Sequence, residues 1–452
     1  MFKLYMHLFI FLLVTTTLSA QTASIEQQLD DLLAKQFKPV EPGCEILVAR
    51  HGEIIYKKAF GSADLALQVP LTANMVFKLA SITKQFTAVA ILQLVEQGKI
   101  SLQDSLQKFI PDYPYKGHVI TIENLLTHTS GIRDYMQIGY RSPYMERWDF
   151  DPKELIDSFK NYALDFTPGT KFSYSNSGYY LLGYIIEKVS GKRYQTYVQD
   201  NILTPLAMTN TYFDWGDNII PGKVNGYRKK GAAFFNAAYW SPTIAYSAGG
   251  LLSNAEDLLK WFKGILSYKI IKKETLAKAF TPFKLEDGSS ITYGYGWYVQ
   301  NTGQVRSIEH SGKMNGFLSN EMYYPDQDVF IVALFNCENA PRDEVSTEIS
   351  EIVLGRSLQA QAIKPVDNVL NSYVGTYSLT SNPKRTIVIA KEKDRLVANV
   401  SGQQAFELLF QTPTTCQFKN VKDLVAEFIM ENGNVTKLIV NQNGRFEWKK
   451  IK

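Results

Sequence analysis

The chain has 452 residues, 45% of them hydrophobic and 20% charged, with a formal net charge of +4. That is a folded globular composition, too long for one ordinary core, so two domains are expected and a disordered or low-complexity chain is excluded. The basic residues are scattered, which argues against nucleic acid as a partner, and three cysteines are too few for a disulfide scaffold.

Residues 1–20 read as an export signal. Lys3 opens it, "LYMHLFIFLLV" is its apolar centre, and small residues lead to a cleavage point at Ala20. The mature chain is therefore expected to be exported, periplasmic or secreted; an uncleaved run would instead tether it. The run is short for a bilayer span and no later stretch is longer, so no integral membrane partner is expected. "SIEQQLDDLLAKQF" (24–37) has helical spacing, with Ser24 and Gln27 placed for a capping box. "CEILVARHGEIIYKKAFG" (44–61) reads as a hairpin turning at "RHGE". A helix over about 81–97 is apolar nearly all round, as at the centre of a domain. Residues 100–290 alternate helical segments with Gly/Pro turns. Strand character returns at 293–300, 307–312, 318–327 and 328–339. Cys44 and Cys337 lie in strand-like runs and could pair; three buried free thiols, Cys416 included, is the plainer reading.

The last ~90 residues differ. They alternate with period two, and Asn432-Gly433 and Asn443-Gly444 read as hairpin turns. The expected organisation is a main domain over 21–357, a linker over 358–365, and an all-β barrel of about eight strands over 366–452.

Ser81 and Lys84 stand three apart at the start of the apolar helix, on one face. A serine at a helix N-terminus has backbone N–H groups beside it for a developing oxyanion. Its hydroxyl needs a base, and a lysine serves when burial favours the neutral amine. Alone, S-x-x-K is common by chance, and its plain reading is a capping serine with an exposed lysine. Its company raises it. "FSYSNSGYYLLG" supplies Tyr174-Ser175-Asn176, where a phenol can relay protons and an amide can bind a substrate carbonyl. "IEHSGKMNGF" supplies His310-Ser311-Gly312 on an expected edge strand, able to offer an amide and to pair with an extended substrate.

These three elements, in this order, resemble the serine β-lactamase and penicillin-binding protein superfamily. The likeness is to its class C-like branch, which holds class C β-lactamases, D-aminopeptidases, D,D-peptidases and esterases. "LLTHTSGI" (125–132), "FTPGTKFSYSNSGYYLLG" (166–183) and "SAGGLLSNAEDLLKW" (247–261) are typical of that branch, and the resemblance spans roughly 25–355. The tail is similar to the lipocalin-like module appended to some members. The implied fold is mixed α/β (α+β): an antiparallel sheet flanked by helices, a helical subdomain, and a C-terminal all-β barrel.

The resemblance implies that Ser81 is acylated. Lys84 would be its general base or that base's electrostatic partner, and Tyr174 the proton relay. Asn176, His310, Ser311 and Gly312 would bind substrate. The oxyanion hole would be the backbone N–H groups of Ser81 and Lys313. Two departures stand out. His310 replaces the lysine that holds the acidic group of β-lactams, which weakens the case for strong β-lactamase activity. Lys313 stands where relatives often carry a small residue. His310 also has a plain reading as a packed strand histidine. His128 is expected to bond within its own loop, and Gly249 and Gly250 to permit tight turns beside the cleft. The aromatic stretches 135–148 and 231–240 should pack and partly line the cleft. H-E-x-x-H and G-x-S-x-G are both missing, so neither a metal nor an α/β-hydrolase is implied, and no cofactor is expected.

The expected function is hydrolysis of amide or ester bonds through an acyl-enzyme, on D-amino-acid peptides, peptidoglycan fragments or esters. A small molecule or peptide would be the partner. The reading from another class is a non-hydrolysing penicillin-binding sensor, or a surface protein that binds ligand in its barrel.

Overall fold

The computed structural model describes residues 23–138, 147–214, 216, 218–302, 305–358, 367–393, 395–401, 405–419, 421, 424–431, 434–441 and 445–451. The signal segment, the linker beyond Leu358 and both Asn-Gly turns lie outside the described residues.

Helix α1 (Ile25–Gln36) leads into strands β1 (Cys44–Arg50) and β2 (Glu53–Phe60), the expected hairpin. The Ser24 hydroxyl caps α1 by accepting from the Gln27 N–H at 3.2 Å, but the Gln27 side chain turns to Asp31, so the expected capping box is only half made. Four later strands complete the sheet: β3 (Tyr298–Thr302), β4 (Val305–Met314), β5 (Phe317–Tyr324) and β6 (Val329–Phe335). All six pair antiparallel in the order β3-β4-β5-β6-β1-β2.

Alternation along the strands divides their side chains between two cores. On β6, Val329, Ile331, Ala333 and Phe335 pack with α1 and a C-terminal helix, α5 (Arg342–Leu354). Phe330, Val332 and Leu334 face the other way, into the main core. At the heart of that core is α2 (Thr83–Glu96), where every residue from Thr83 to Leu94 is buried, as its continuous apolar run predicts. Around it pack α3 (Asn176–Ser190), which ends at Gly191 in the left-handed conformation, and α4 (Ala255–Leu266).

Two sequence expectations are corrected here. Residues 100–290 are not only helical segments and turns: Tyr227–Lys230 and Ala233–Asn236 form a β-hairpin within them. Strand β4 is second from the sheet edge, not the edge itself. It is longer than β3, however, and their ladder ends at the Tyr298–Glu309 pair. His310-Ser311-Gly312 therefore lies on the overhang.

The C-terminal eight strands, from Gly375–Leu379 to Arg445–Lys450, close into a barrel. Its interior is filled. Tyr373, at the end of helix Asp367–Tyr373, stacks on Phe428 with ring centroids 4.1 Å apart, and Phe410, Phe418 and Trp448 are buried around them. Cys44, Cys337 and Cys416 are all free and buried. Among the described residues, no helix is long and apolar enough to cross a membrane.

Candidate active site

The Ser81 turn is built by two short elements. Phe77–Lys78 pairs with Leu251–Ser253, and the chain then bends through Ala80, whose φ of 49° lies in the left-handed region that costs an alanine about 1–2 kcal/mol. A 3-10 turn, Ala80–Ile82, carries Ser81 into α2. The Thr83 hydroxyl accepts from the Leu251 N–H at 3.1 Å, and the Ser319 hydroxyl donates to the Leu79 carbonyl at 2.7 Å, so the bend is tied down on both sides. Strand β4 presses against it. A Cβ on Gly312 would stand 2.2 Å from the Leu79 oxygen and 3.1 Å from the Ala80 Cβ, so only glycine lets the strand approach this closely.

Lys84 follows one turn on, with no exposed surface. Its Nζ donates to Ser81 Oγ at 3.1 Å, to Asn176 Oδ1 at 2.9 Å and to the Ala248 carbonyl at 2.8 Å. Three acceptors suit an ammonium. Burial opposes the charge and pulls the lysine down to about 7, partly offset by the negative charge of Asp134. The group is thus poised to exchange a proton near neutrality. The Tyr174 and Tyr179 rings lie 4.8 and 5.7 Å from the nitrogen.

Tyr174 precedes α3, with the Ser81 hydroxyl as a hydrogen-bonding neighbour. Burial pushes its phenol well above the usual tyrosine range, so at neutral pH it carries its proton. Its segment is held by His128, whose Nδ1 accepts from the Ser175 N–H at 3.1 Å and whose ring packs 4.2 Å from that of Tyr174. The expectation that His128 bonds within its own loop is corrected: its ring instead ties that loop to the Tyr174–Ser175 segment across the site. Burial keeps it neutral.

His310 Nδ1 donates to the Ser311 carbonyl at 2.7 Å, which leaves Nε2 to accept from the Tyr293 hydroxyl at 3.1 Å. Burial lowers its pKa to about 3. It is a neutral wall residue, not a cation standing in for a lysine. Among the described residues, the cations lining the cleft are Lys313, which is exposed, and Arg342, at the start of α5, which donates to the Gly312 carbonyl at 3.0 Å.

The cleft holds about 370 Å³. Ser81, Tyr174, Asn176, His310, Ser311 and Lys313 all line it; Lys84 lies behind Ser81, and Gly312 serves the packing beneath. Tyr135, Met136 and Trp240 supply aromatic and apolar wall, and residues 139–146 of the first aromatic stretch lie outside the described residues. Gly249 lines the cleft, and Gly250 stands where a Cβ would meet the Tyr246 oxygen at 2.6 Å.

Sequence reasoning missed Asp134, Arg342 and the Ala248 carbonyl. Asp134 follows "HTSGIR" as an acid in a buried loop. Arg342 is a cation at a helix N-terminus, where the dipole disfavours it. A backbone carbonyl leaves no side-chain signal. Among the described residues no cluster of three His, Cys, Asp or Glu side chains is placed to hold a metal.

The family model described as Beta-lactamase matches residues 24–354. A penicillin-binding protein of Bacillus subtilis (strain 168) is 29% identical over 432 residues, covering 89% of this chain and 93% of that protein. The octameric penicillin-binding protein homologue from Pyrococcus abyssi has a similar structure, with a TM-score of 0.64 at 25% identity over 94% of this chain and 99% of that one. The D-stereospecific amidohydrolase from Streptomyces sp. shares the fold, with a TM-score of 0.60 at 24% identity over 72% of this chain and 97% of that one.

Proposed function

Because the chain belongs to the beta-lactamase family, we propose that it is a serine hydrolase that cleaves amide or ester bonds through an acyl-enzyme on Ser81. The observation that carries this reading is the wholly buried Lys84 amine, 3.1 Å from the Ser81 hydroxyl.

Lys84, as the free amine, takes the Ser81 proton while Oγ bonds to the substrate carbonyl carbon. The backbone N–H groups of Ser81 and Lys313 receive the oxyanion. As the tetrahedral intermediate collapses, the bond to the leaving nitrogen or oxygen breaks and that atom takes a proton from the Tyr174 phenol, which Lys84 replenishes. Water then attacks the acyl-enzyme, its proton passes back along the same groups, and Ser81 is released. The high pKa of Tyr174 supports its part as a relay, with Lys84 the resting base.

The substrate class is D-amino-acid peptides, peptidoglycan fragments or related esters. The cleft lining offers Lys313 and Arg342, the latter paired through Nε with Asp343 at 2.8 Å, and no carboxylate among the described lining residues. A substrate with a carboxylate near the scissile bond fits this better than one with a free amine.

Intact-mass spectrometry after a fluorophosphonate, with Ser81→Ala alongside, tests the reading. One adduct on the wild type and none on the variant is expected. An adduct that persists on Ser81→Ala would overturn it. A parallel penicillin treatment separates the classes: a long-lived adduct marks a D,D-peptidase or sensor, and rapid turnover or no adduct marks an amidase or esterase.

A further inference from the structure

Asn176 joins the site to a residue outside it. Its side-chain NH₂ donates to Asp134 Oδ2 at 3.0 Å, while its Oδ1 accepts from Lys84 Nζ at 2.9 Å. Asp134 is only 8% exposed, and its other oxygen accepts from the Met136 N–H at 3.1 Å. The backbone N–H of Asn176 also bonds to this carboxylate. Asn176 opens α3, and its N-cap, Ser175, makes no side-chain cap bond; Ser175 Oγ donates to the Ile132 carbonyl instead. Asp134 thus caps α3 from another part of the chain.

An ionised carboxylate only accepts hydrogen bonds. Facing Asp134, Asn176 must present its NH₂ there and its oxygen to Lys84. With the amide turned over, NH₂ would meet the lysine and the two oxygens would face each other.

We propose that Asp134 is a positioning residue for acyl transfer: it locks the Asn176 amide in the orientation that gives Lys84 an acceptor, and it supplies the negative charge facing the ammonium formed when Lys84 takes the Ser81 proton. The inference rests on the serine hydrolase reading above. Among the described residues, the other titratable groups around Lys84 do not provide that charge. Tyr174 and Tyr179 keep their protons, and His128 and His310 are neutral. Asp134 is the acid whose charge raises the lysine against the pull of burial. Burial raises the pKa of Asp134 itself, and its bonds to Met136 and Asn176 together with the charge of Lys84 oppose that.

The test is the rate at which a fluorophosphonate labels Ser81 between pH 5 and 9, measured as a first-order constant that is independent of the folded fraction. In Asp134→Asn the charge is lost and the amide can turn over. The plateau rate should fall roughly 10- to 100-fold. The acidic limb should move down by about one pH unit, because Lys84 loses its counter-charge. Asp134→Glu keeps an acceptor-only anion and should keep the limb in place at a reduced plateau.

Wild-type limb and plateau in Asp134→Asn would overturn the proposal, as would a shifted limb in Asp134→Glu. A role confined to capping would lower the melting temperature of Asp134→Asn and leave its limb unmoved, which also overturns it. If Asp134→Asn does not fold, the glutamate variant decides alone. Wild type that is not labelled on Ser81 would instead sink the hydrolase reading, so the two failures are distinct.

Discussion

The Lys84 nitrogen lies 3.1 Å from the Ser81 hydroxyl and is wholly shielded from water by α2 and the chain around it. A lysine on that helix is costly to bury, and its three acceptors are all site groups. Lys84→Met should cut the rate of Ser81 acylation by about 10²- to 10⁴-fold, the usual worth of a general base. Binding of a competitive inhibitor should change little. Stopped-flow acylation with an ester, beside inhibitor titration, separates the two.

Gly312 is where the sheet and the Ser81 turn touch. Gly312→Ala would set a methyl 2.2 Å from the Leu79 carbonyl oxygen and 2.3 Å from Ser319 Oγ, and the carbonyl cannot rotate away. Overpacking of this kind costs about 1–3 kcal/mol. The expected result is a lowered melting temperature with at least tenfold slower labelling of the protein that remains folded. Thermal denaturation and labelling kinetics check it together.

Lys313 is an exposed cation at the cleft, where His310 is neutral. Lys313→Ala should raise KM for a carboxylate-bearing peptide or ester by about fivefold, equivalent to about 1 kcal/mol. For the matching neutral methyl ester KM should stay unchanged. Paired steady-state kinetics on the two substrates give the comparison, and the difference should shrink in high salt.

Glu321 pairs across the β4–β5 ladder with His310, and burial lifts its carboxyl to about 8 from an ordinary 4.5. Between those values the folded protein holds a proton that the unfolded chain has lost. Stability from this group is therefore complete below pH 4.5 and drains away as pH rises through 8. Glu45, lifted to about 7, acts with the same sign. Lys84 acts oppositely: lowered to about 7 from 10.5, it disfavours folding at low pH, and that cost fades as pH rises through this range. Glu321→Gln should flatten the fall in melting temperature between pH 5 and 8 without abolishing it, since Glu45 remains. Calorimetry at several pH values measures the slope.

Much of this was legible in the sequence. The hairpin at 44–61, the buried helix at 83–96 and the strands of the barrel follow from hydrophobic period, because local pattern determines them. Ser81, Tyr174, Asn176 and His310 do meet, as motif order implied. What the pattern could not carry is long-range. The position of β4 depends on a five-residue neighbour, β3, whose pairing leaves no signature in β4 itself. The neutrality of His310 depends on its burial and on the charge of Lys84 from another element, and the hold of His128 on Ser175 spans loops far apart in sequence. Asp134 matters through the amide it faces, and only folding brings the two together.

In the proposed hydrolase Ser81 is activated by Lys84, which burial draws down to about 7. The most direct measurement is the rate of fluorophosphonate labelling of wild-type Ser81 as a function of pH. A rate that rises with a midpoint near pH 7 and then levels is expected, because only the neutral amine of Lys84 takes the proton. A rate that stays flat from pH 5 to 9, or that climbs only as a tyrosine ionises, would contradict the account.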